Sequence, residues 1–201
     1  MTTPAPSVRK LSLSHMGICC FDLPKMHAFY TAVLGMTQSD RGTLPAPMDA
    51  ELIFLTTDPG EHHQLVLVSG RNEGAIQDGP ALGGSFGSAI FQLSFRIDSL
   101  ATLRRLRDRL TAAGCTYLIP VNHGNSWSLY TRDPEGNALE FVVDTPWYTA
   151  QPCGEPLNLD ADDAEILRTT EALCADRGCE PVDAWRDRLA RKIASDQARL
   201  A

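Results

Sequence analysis

LSLSHMGICCFDLPKMHAFYTAVLGM, residues 11–36, and IFQLSFRIDSLATLRRLRDRLTAAGC, residues 90–115, share one layout. Each is a short apolar strand, a turn with an acidic residue, an amphipathic helix and a closing glycine. Each also leads to a later strand, HHQLVLV (62–68) and NALEFVV (137–143). When the halves are superposed, His15 falls on Gln92 and Gln64 falls on Glu140. Gln64 lies as far past His15 as Glu140 lies past Gln92, to within one residue. Duplication predicts that these four positions meet near a pseudo-two-fold axis.

Working outward, residues 11–19 predict a strand whose one face carries Leu11, Leu13, His15, Gly17 and Cys19. Asp22 and Pro24 stand where a helix starts, Met26, Phe29, Tyr30, Val33 and Leu34 form its apolar stripe, and Gly35 stops it. Residues 38–50 read as irregular. ELIFLTT (51–57) and HHQLVLV flank a DPGE turn. The glycine-rich stretch 69–88 reads as a linker and lid, since it has no phosphate-loop spacing. In the second half FQLSFRI is a strand. Leu100, Leu103, Leu106 and Leu110 form a helical stripe capped by Asp98 or Ser99. TYLIPVNH, SWSLYTR and ALEFVVD are strands, the last two joined by a DPEGN turn. The RRLRDR run, 104–109, reads as a solvated helix face.

The fold class expected is α+β: two βαβββ modules forming one curved sheet cavity, with a helical C-terminal extension. Residues 1–9 are expected to be a flexible tail and 10–150 the main domain, its modules at about 10–70 and 89–144. Residues 151–201 form the extension, with helices at 161–176 and 182–198 and with Trp185 and Leu189 among its apolar contacts. Its expected task is to cover a sheet edge.

A net charge of −7 argues against a nucleic-acid partner. No apolar run approaches the roughly 20 residues that span a bilayer, and the N-terminus lacks the apolar core of a signal peptide. Of the six cysteines, none forms a CxxC pair, and all are expected to be reduced in a cytoplasmic protein. A Cys174–Cys179 bridge is the lesser alternative.

An imidazole on an inward strand face suits a first-row metal, and a carboxylate on an equivalent strand completes such a site. Glu140 lies between Leu139 and Phe141, where a carboxylate is costly to bury unless it is paired or ligating. His15 and Glu140 are therefore the leading metal candidates. Gln92 is either a third ligand or a hydrogen-bonding neighbour of a bound water. Gln64 supplies a further amide, so the four axial positions read His, Gln, Gln, Glu. His27, inside the first helix, reads as structural.

SHMGICCFDLPKMHAFYTAVLGM, EHHQLVLV, FQLSFRIDSL, HGNSWSLYTRDPEGNALEF and the tail DTPWYTAQP carry a family resemblance over residues 10–152. The chain resembles the vicinal oxygen chelate superfamily, the glyoxalase, bleomycin-resistance and dioxygenase fold. Within it, the chain is similar to the catalytic domain of type I extradiol ring-cleavage dioxygenases of the biphenyl-diol type. DPEGNALEF is shared widely across that fold. HH before a strand, HxN, and a Tyr ten residues before the Glu are more specific to the dioxygenases.

The resemblance implies that His15, Gln92 and Glu140 hold the metal, Fe(II) first, with Mn, Zn or Ni as other divalent choices. Gln92 departs from the family's second His; it is a weaker donor that should loosen iron. His63 is implied as the residue acting on the catechol proton, against an exposed strand-end His, with His62 its solvent-facing neighbour. His123 is implied in catalysis at the pocket, against a simple turn residue, and Asn125 in substrate binding. Tyr130 is implied as a hydrogen-bond donor near the substrate oxygen, against plain packing. The implied activity is extradiol cleavage of a small aromatic diol with O2 by a homodimer. Two alternatives stay open: a metal-chelating isomerase or lyase of the same fold, and a non-catalytic protein that binds small aromatics. Oxygen uptake separates the first reading from both.

Overall fold

The computed structural model describes residues 12–72 and 90–199. The expected tail, 1–9, and nearly all of the expected lid lie outside the described residues. The chain divides into two compact units. Among the described residues, a sheet unit holds 14–72, 90–121 and 128–143, and an extension unit holds 12–13, 122–127 and 144–199. The extension unit includes residues 122–127 as well as those from Asp144 onward.

In the sheet unit, β1 (Met16–Cys20) is shorter than the strand expected over 11–19. Pairing begins where the Met16 amide donates to the Gln64 carbonyl at 3.0 Å, so His15 stands just ahead of the strand. Cys19 is exposed and Cys20 buried, as neighbours on a pleated strand must be. Asp22 caps α1 (Leu23–Ala28) by accepting from the Lys25 amide at 3.0 Å, and Pro24 occupies the first turn. The chain then widens into a π-helical turn, Phe29–Val33. That extra residue per turn rotates the stripe, so Met26, Phe29 and Tyr30 are buried while Val33 and Leu34 are only half-buried.

β2 (Thr37–Thr43) occupies a stretch expected to be irregular. Its sequence, TQSDRGT, shows no alternation because it is a polar edge strand, exposed along nearly its whole length. With β3 (Glu51–Thr56) and β4 (Leu65–Ser69) it completes a four-stranded sheet in the order β1-β4-β3-β2, with β1 parallel to β4. β4 starts later than expected, which leaves His62 and His63 in the turn before it.

The second half repeats this plan with β5 (Leu93–Arg96), α2 (Leu100–Ala112), β6 (Ile119–Asn122), β7 (Ser126–Arg132) and β8 (Ala138–Asp144). The strand order is β6-β7-β8-β5, again with first and last strands parallel. The α+β class and the doubled βαβββ plan are as expected, each module building its own sheet. Ser99 caps α2, accepting from the Thr102 amide at 3.2 Å, and the leucine stripe Leu100, Leu103, Leu106 and Leu110 is buried. Each buried leucine contributes about 1.5–3 kcal/mol. Around Leu106 the arginine-rich run is half or fully exposed, and Arg109 donates to the Ala32 carbonyl at 2.9 Å.

A polar clamp ties the DPEGN turn to the first module. Asp133 Oδ1 accepts the amides of Glu135 and Asn137, and its Oδ2 accepts from Asn137 at 2.7 Å and from the Tyr30 hydroxyl at 3.1 Å. Glu135 Oε1 accepts the Asp22 amide at 2.7 Å, and its Oε2 pairs with Arg71 at 3.2 Å. Burial holds Asp133 above the ordinary carboxylate range despite these bonds. Burial, then the Asp133 charge, lifts the Tyr30 phenol well above its usual value.

The extension unit carries β9 (Trp147–Tyr148), β10 (Glu155–Pro156), α3 (Asp163–Asp176), β11 (Glu180–Pro181) and α4 (Val182–Ala198). β11 pairs antiparallel with β9, and Trp185 stacks on Tyr148 with ring centres 4.7 Å apart. Leu189, expected in apolar contact, is 36% exposed, while the helix packs against β11 and β9. No described helix is long and apolar enough to cross a membrane.

Gly124 anchors the 122–127 tip at φ +75°, and a Cβ there would lie 2.5 Å from Thr149 Cγ2. Gly124→Ala combines left-handed strain with a steric overlap. It is expected to lower stability by about 1–3 kcal/mol, read from the urea midpoint. An unchanged midpoint would show that the tip yields freely.

Candidate metal centre

Alternation along β8 sends Leu139, Phe141 and Val143 to the buried side, where Phe141 stacks on Phe95 at 5.7 Å. It sends Glu140 to the opposite face, yet the residue is only 7% exposed. A carboxylate there needs partners. Glu140 Oε2 accepts from Gln92 Nε2 at 2.5 Å and from Ser94 Oγ at 2.7 Å. The Tyr130 hydroxyl bonds the same carboxylate. Burial, then that bond and the charge of Glu140, push the Tyr130 phenol far above its ordinary value, so the phenol remains a donor. Three neutral donors, Gln92 just before β5, Ser94 in β5 and Tyr130 in β7, thus meet one carboxylate.

His15 is exposed rather than inward-facing, because it precedes the paired part of β1. Its Nδ1 lies 3.2 Å from Ser14 Oγ, and its ring packs against His63 at 4.2 Å between centres. His63 Nδ1 lies 2.8 Å from His62 Nδ1, which requires one proton between the two nitrogens. Both rings stand edge-on to Phe54, at 5.6 Å for His62 and 5.0 Å for His63. The His63 pKa is lowered by burial first, then by its two histidine neighbours. His62, expected to face solvent, is exposed and lies 3.6 Å from Asp40. His27, within α1, has a buried Nε2 with no hydrogen-bond partner among the described residues.

Gln64 leaves the axial set. Its Oε1 accepts both the amide and the hydroxyl of Thr57, each at 2.9 Å, which closes the β3–β4 turn. The ladders give the physical reason why the two halves do not superpose residue for residue. In the first, Met16 lies opposite Leu65; in the second, Ser94, not Gln92, lies opposite Glu140. Ser94 was absent from the sequence candidates. Its signal was its place two residues after Gln92, on the same strand face.

The structure therefore gathers Glu140, Gln92, Ser94 and Tyr130, and separately gathers His15, His62 and His63. His123 and Asn125 belong to the extension unit. There His123 Nδ1 meets the Cys153 carbonyl at 2.5 Å, and Gln151 Nε2 donates to the His123 carbonyl at 2.9 Å and to Asn125 Oδ1 at 3.1 Å. Among the described residues no three of His, Cys, Asp and Glu form a ready cage. The donor types still fit a divalent first-row ion: a buried carboxylate, an amide beside it and an imidazole open to solvent.

The family model for the Glyoxalase/Bleomycin resistance protein/Dioxygenase superfamily matches residues 12–141. Over 132 residues the chain is 34% identical to biphenyl-2,3-diol 1,2-dioxygenase 3 of Rhodococcus globerulus, covering 66% of this chain and 63% of that protein. Over 99 residues it is 29% identical to biphenyl-2,3-diol 1,2-dioxygenase 2 of the same organism, covering 46% and 45%. The chain thus spans less than two thirds of either relative. Among solved structures, a glyoxylase/bleomycin resistance protein/dioxygenase domain from Frankia sp. EAN1pec superposes with a TM-score of 0.52 at 23% identity, over 68% of this chain and 93% of that one. That likeness bears on the fold.

Proposed function

Because the chain belongs to the Glyoxalase/Bleomycin resistance protein/Dioxygenase superfamily, we propose that it is a metal-dependent extradiol dioxygenase that opens the ring of a small catecholic substrate. The observation that carries this reading is the buried Glu140 carboxylate, ringed by Gln92, Ser94 and Tyr130. The names of the two Rhodococcus relatives support the substrate class.

His15, Glu140 and Gln92 would hold the ion, Fe(II) before Mn, Zn or Ni. When bound, it would supply Lewis acidity toward a vicinal diol and a redox partner for O2. The protein's own residues do the rest. Tyr130, protonated throughout the working range, donates from its hydroxyl to a diol oxygen. His63 uses Nδ1 toward His62, which leaves Nε2 to accept the diol proton, and its lowered pKa keeps that nitrogen free near neutrality. Both atoms of O2 enter the product and the diol supplies the electrons, so no external reductant is consumed.

The test is anaerobic loading with Fe(II) followed by a panel of substituted catechols in air. Oxygen uptake by at least one is expected; none, with iron demonstrably bound, defeats the reading. Gln92→His should tighten Fe(II) by about tenfold or more, since an imidazole replaces a weak amide donor. Competitive titration against a chelator measures it, and an unaltered affinity removes Gln92 from the ligand set.

A further inference from the structure

The end of α3 reads Cys174-Ala175-Asp176-Arg177-Gly178-Cys179. Gly178 adopts φ +69° and its amide donates to the Ala175 carbonyl at 3.4 Å. The Cys179 amide reaches back to the Cys174 carbonyl at 3.2 Å. These crossed bonds are a Schellman ending, which brings the side chains at its two outer positions into contact. That contact is usually apolar. Here both positions are cysteine, and the Cys179 thiol lies close enough to raise the pKa of Cys174. Cys174 is fully buried and Cys179 half-buried, and both are free thiols. Burial, then Cys179, push the Cys174 thiol up to about 12, with Cys153 close enough to add to the effect. The more accessible sulfur is therefore also the one better placed to react first.

We infer that Cys174 and Cys179 form a reversible disulfide site, oxidised by a hydroperoxide and reset by a small thiol. The Cys179 thiolate attacks the peroxide: an S–O bond forms, the O–O bond breaks, and the displaced oxygen leaves with a proton as water or alcohol. The Cys174 sulfur then displaces the hydroxyl from Cys179. An S–S bond forms, and that hydroxyl takes the Cys174 proton and leaves as water. Two electrons pass from the thiols to the peroxide. The two crossed backbone bonds hold both cysteines at the same helix ending before the closing step. The effect has a path to the rest of the unit. Cys174 Sγ lies 3.5 Å from where a Gly124 Cβ would stand, next to His123.

The reduced full chain is treated with one equivalent of hydrogen peroxide and its intact mass is read directly, while a second portion is alkylated in denaturant for peptide mapping. A loss of about 2 Da, a cross-linked Cys174–Cys179 peptide and reversal by dithiothreitol are expected. Cys179→Ser, at a half-buried position that tolerates the change, should abolish the mass loss. The proposal is overturned by an unchanged mass or by a cross-link to Cys153 instead. It is equally overturned by Cys179 carried to the sulfinic acid beside a free Cys174, or by a loss of about 2 Da persisting in Cys179→Ser. Mapping of the unsubstituted chain decides the question even if a variant folds poorly.

Discussion

Glu140→Ala is expected to abolish retention of the metal, lowering affinity by more than about 100-fold, since loss of an outer-shell partner alone costs 10–100-fold in such sites. Ring cleavage should fall with it. The same change strips the shared acceptor from Gln92, Ser94 and Tyr130. Leaving buried donors unsatisfied costs about 1–3 kcal/mol of stability, so the variant should fold with a lower midpoint. Glu140→Gln separates the two effects. It keeps an oxygen for the neighbouring donors and most of the stability, but it removes the charge a cation needs. Metal analysis after dialysis, with urea unfolding in parallel, reads both. If Glu140→Ala retains metal at the stoichiometry of the parent chain, the carboxylate is a structural acceptor and the proposed centre lies elsewhere.

The second large effect is at the clamp. Glu135 has a side chain only 3% exposed, and its partner Arg71 is 20% exposed. Glu135→Ala leaves the Arg71 guanidinium and the Asp22 amide without their acceptor. Breaking one side of a buried pair costs about 3–5 kcal/mol, and that is the loss expected here. Because Asp22 begins α1 while Glu135 sits in the turn that launches β8, the change should also loosen the first module against the second. Metal affinity should then fall although no proposed ligand has been touched. Glu135→Gln preserves the hydrogen bonds without the charge and should fall between the two. A loss below about 1 kcal/mol for Glu135→Ala would show that the pair is balanced by solvent.

Much of the architecture was readable from local pattern. The helices came from stripes and caps: Leu100 through Leu110 behind Ser99, and Val182–Ala198, whose bounds match the expectation. The strands β7 and β8 alternate in sequence because one face is packed with apolar residues and the other carries Tyr130 and Glu140. β2 escaped because an edge strand with both faces wet has no pattern to show. At the site, Glu140 stood out because a carboxylate between two buried apolar residues is costly and needs a reason. Ser94 did not, since a serine on a strand is unremarkable until its partner is known. Gln64 was misplaced because spacing along the chain reports duplication, while hydrogen bonding across it decides register. Its amide serves Thr57.

The sequence alone determined the doubled βαβββ plan, the superfamily, and Glu140 as the residue most in need of a function. Periodicity, caps and turn chemistry act over a few residues, and they are written in the order of the chain. Tertiary structure decided which side chains meet. It set Ser94 opposite Glu140, drew His15 to His63, joined Tyr30 to Asp133 across the modules and closed Cys174 onto Cys179. Those meetings depend on strand register, on where a ladder begins and on how a helix ends. A shift of a single residue in strand register would send each strand side chain to the other face.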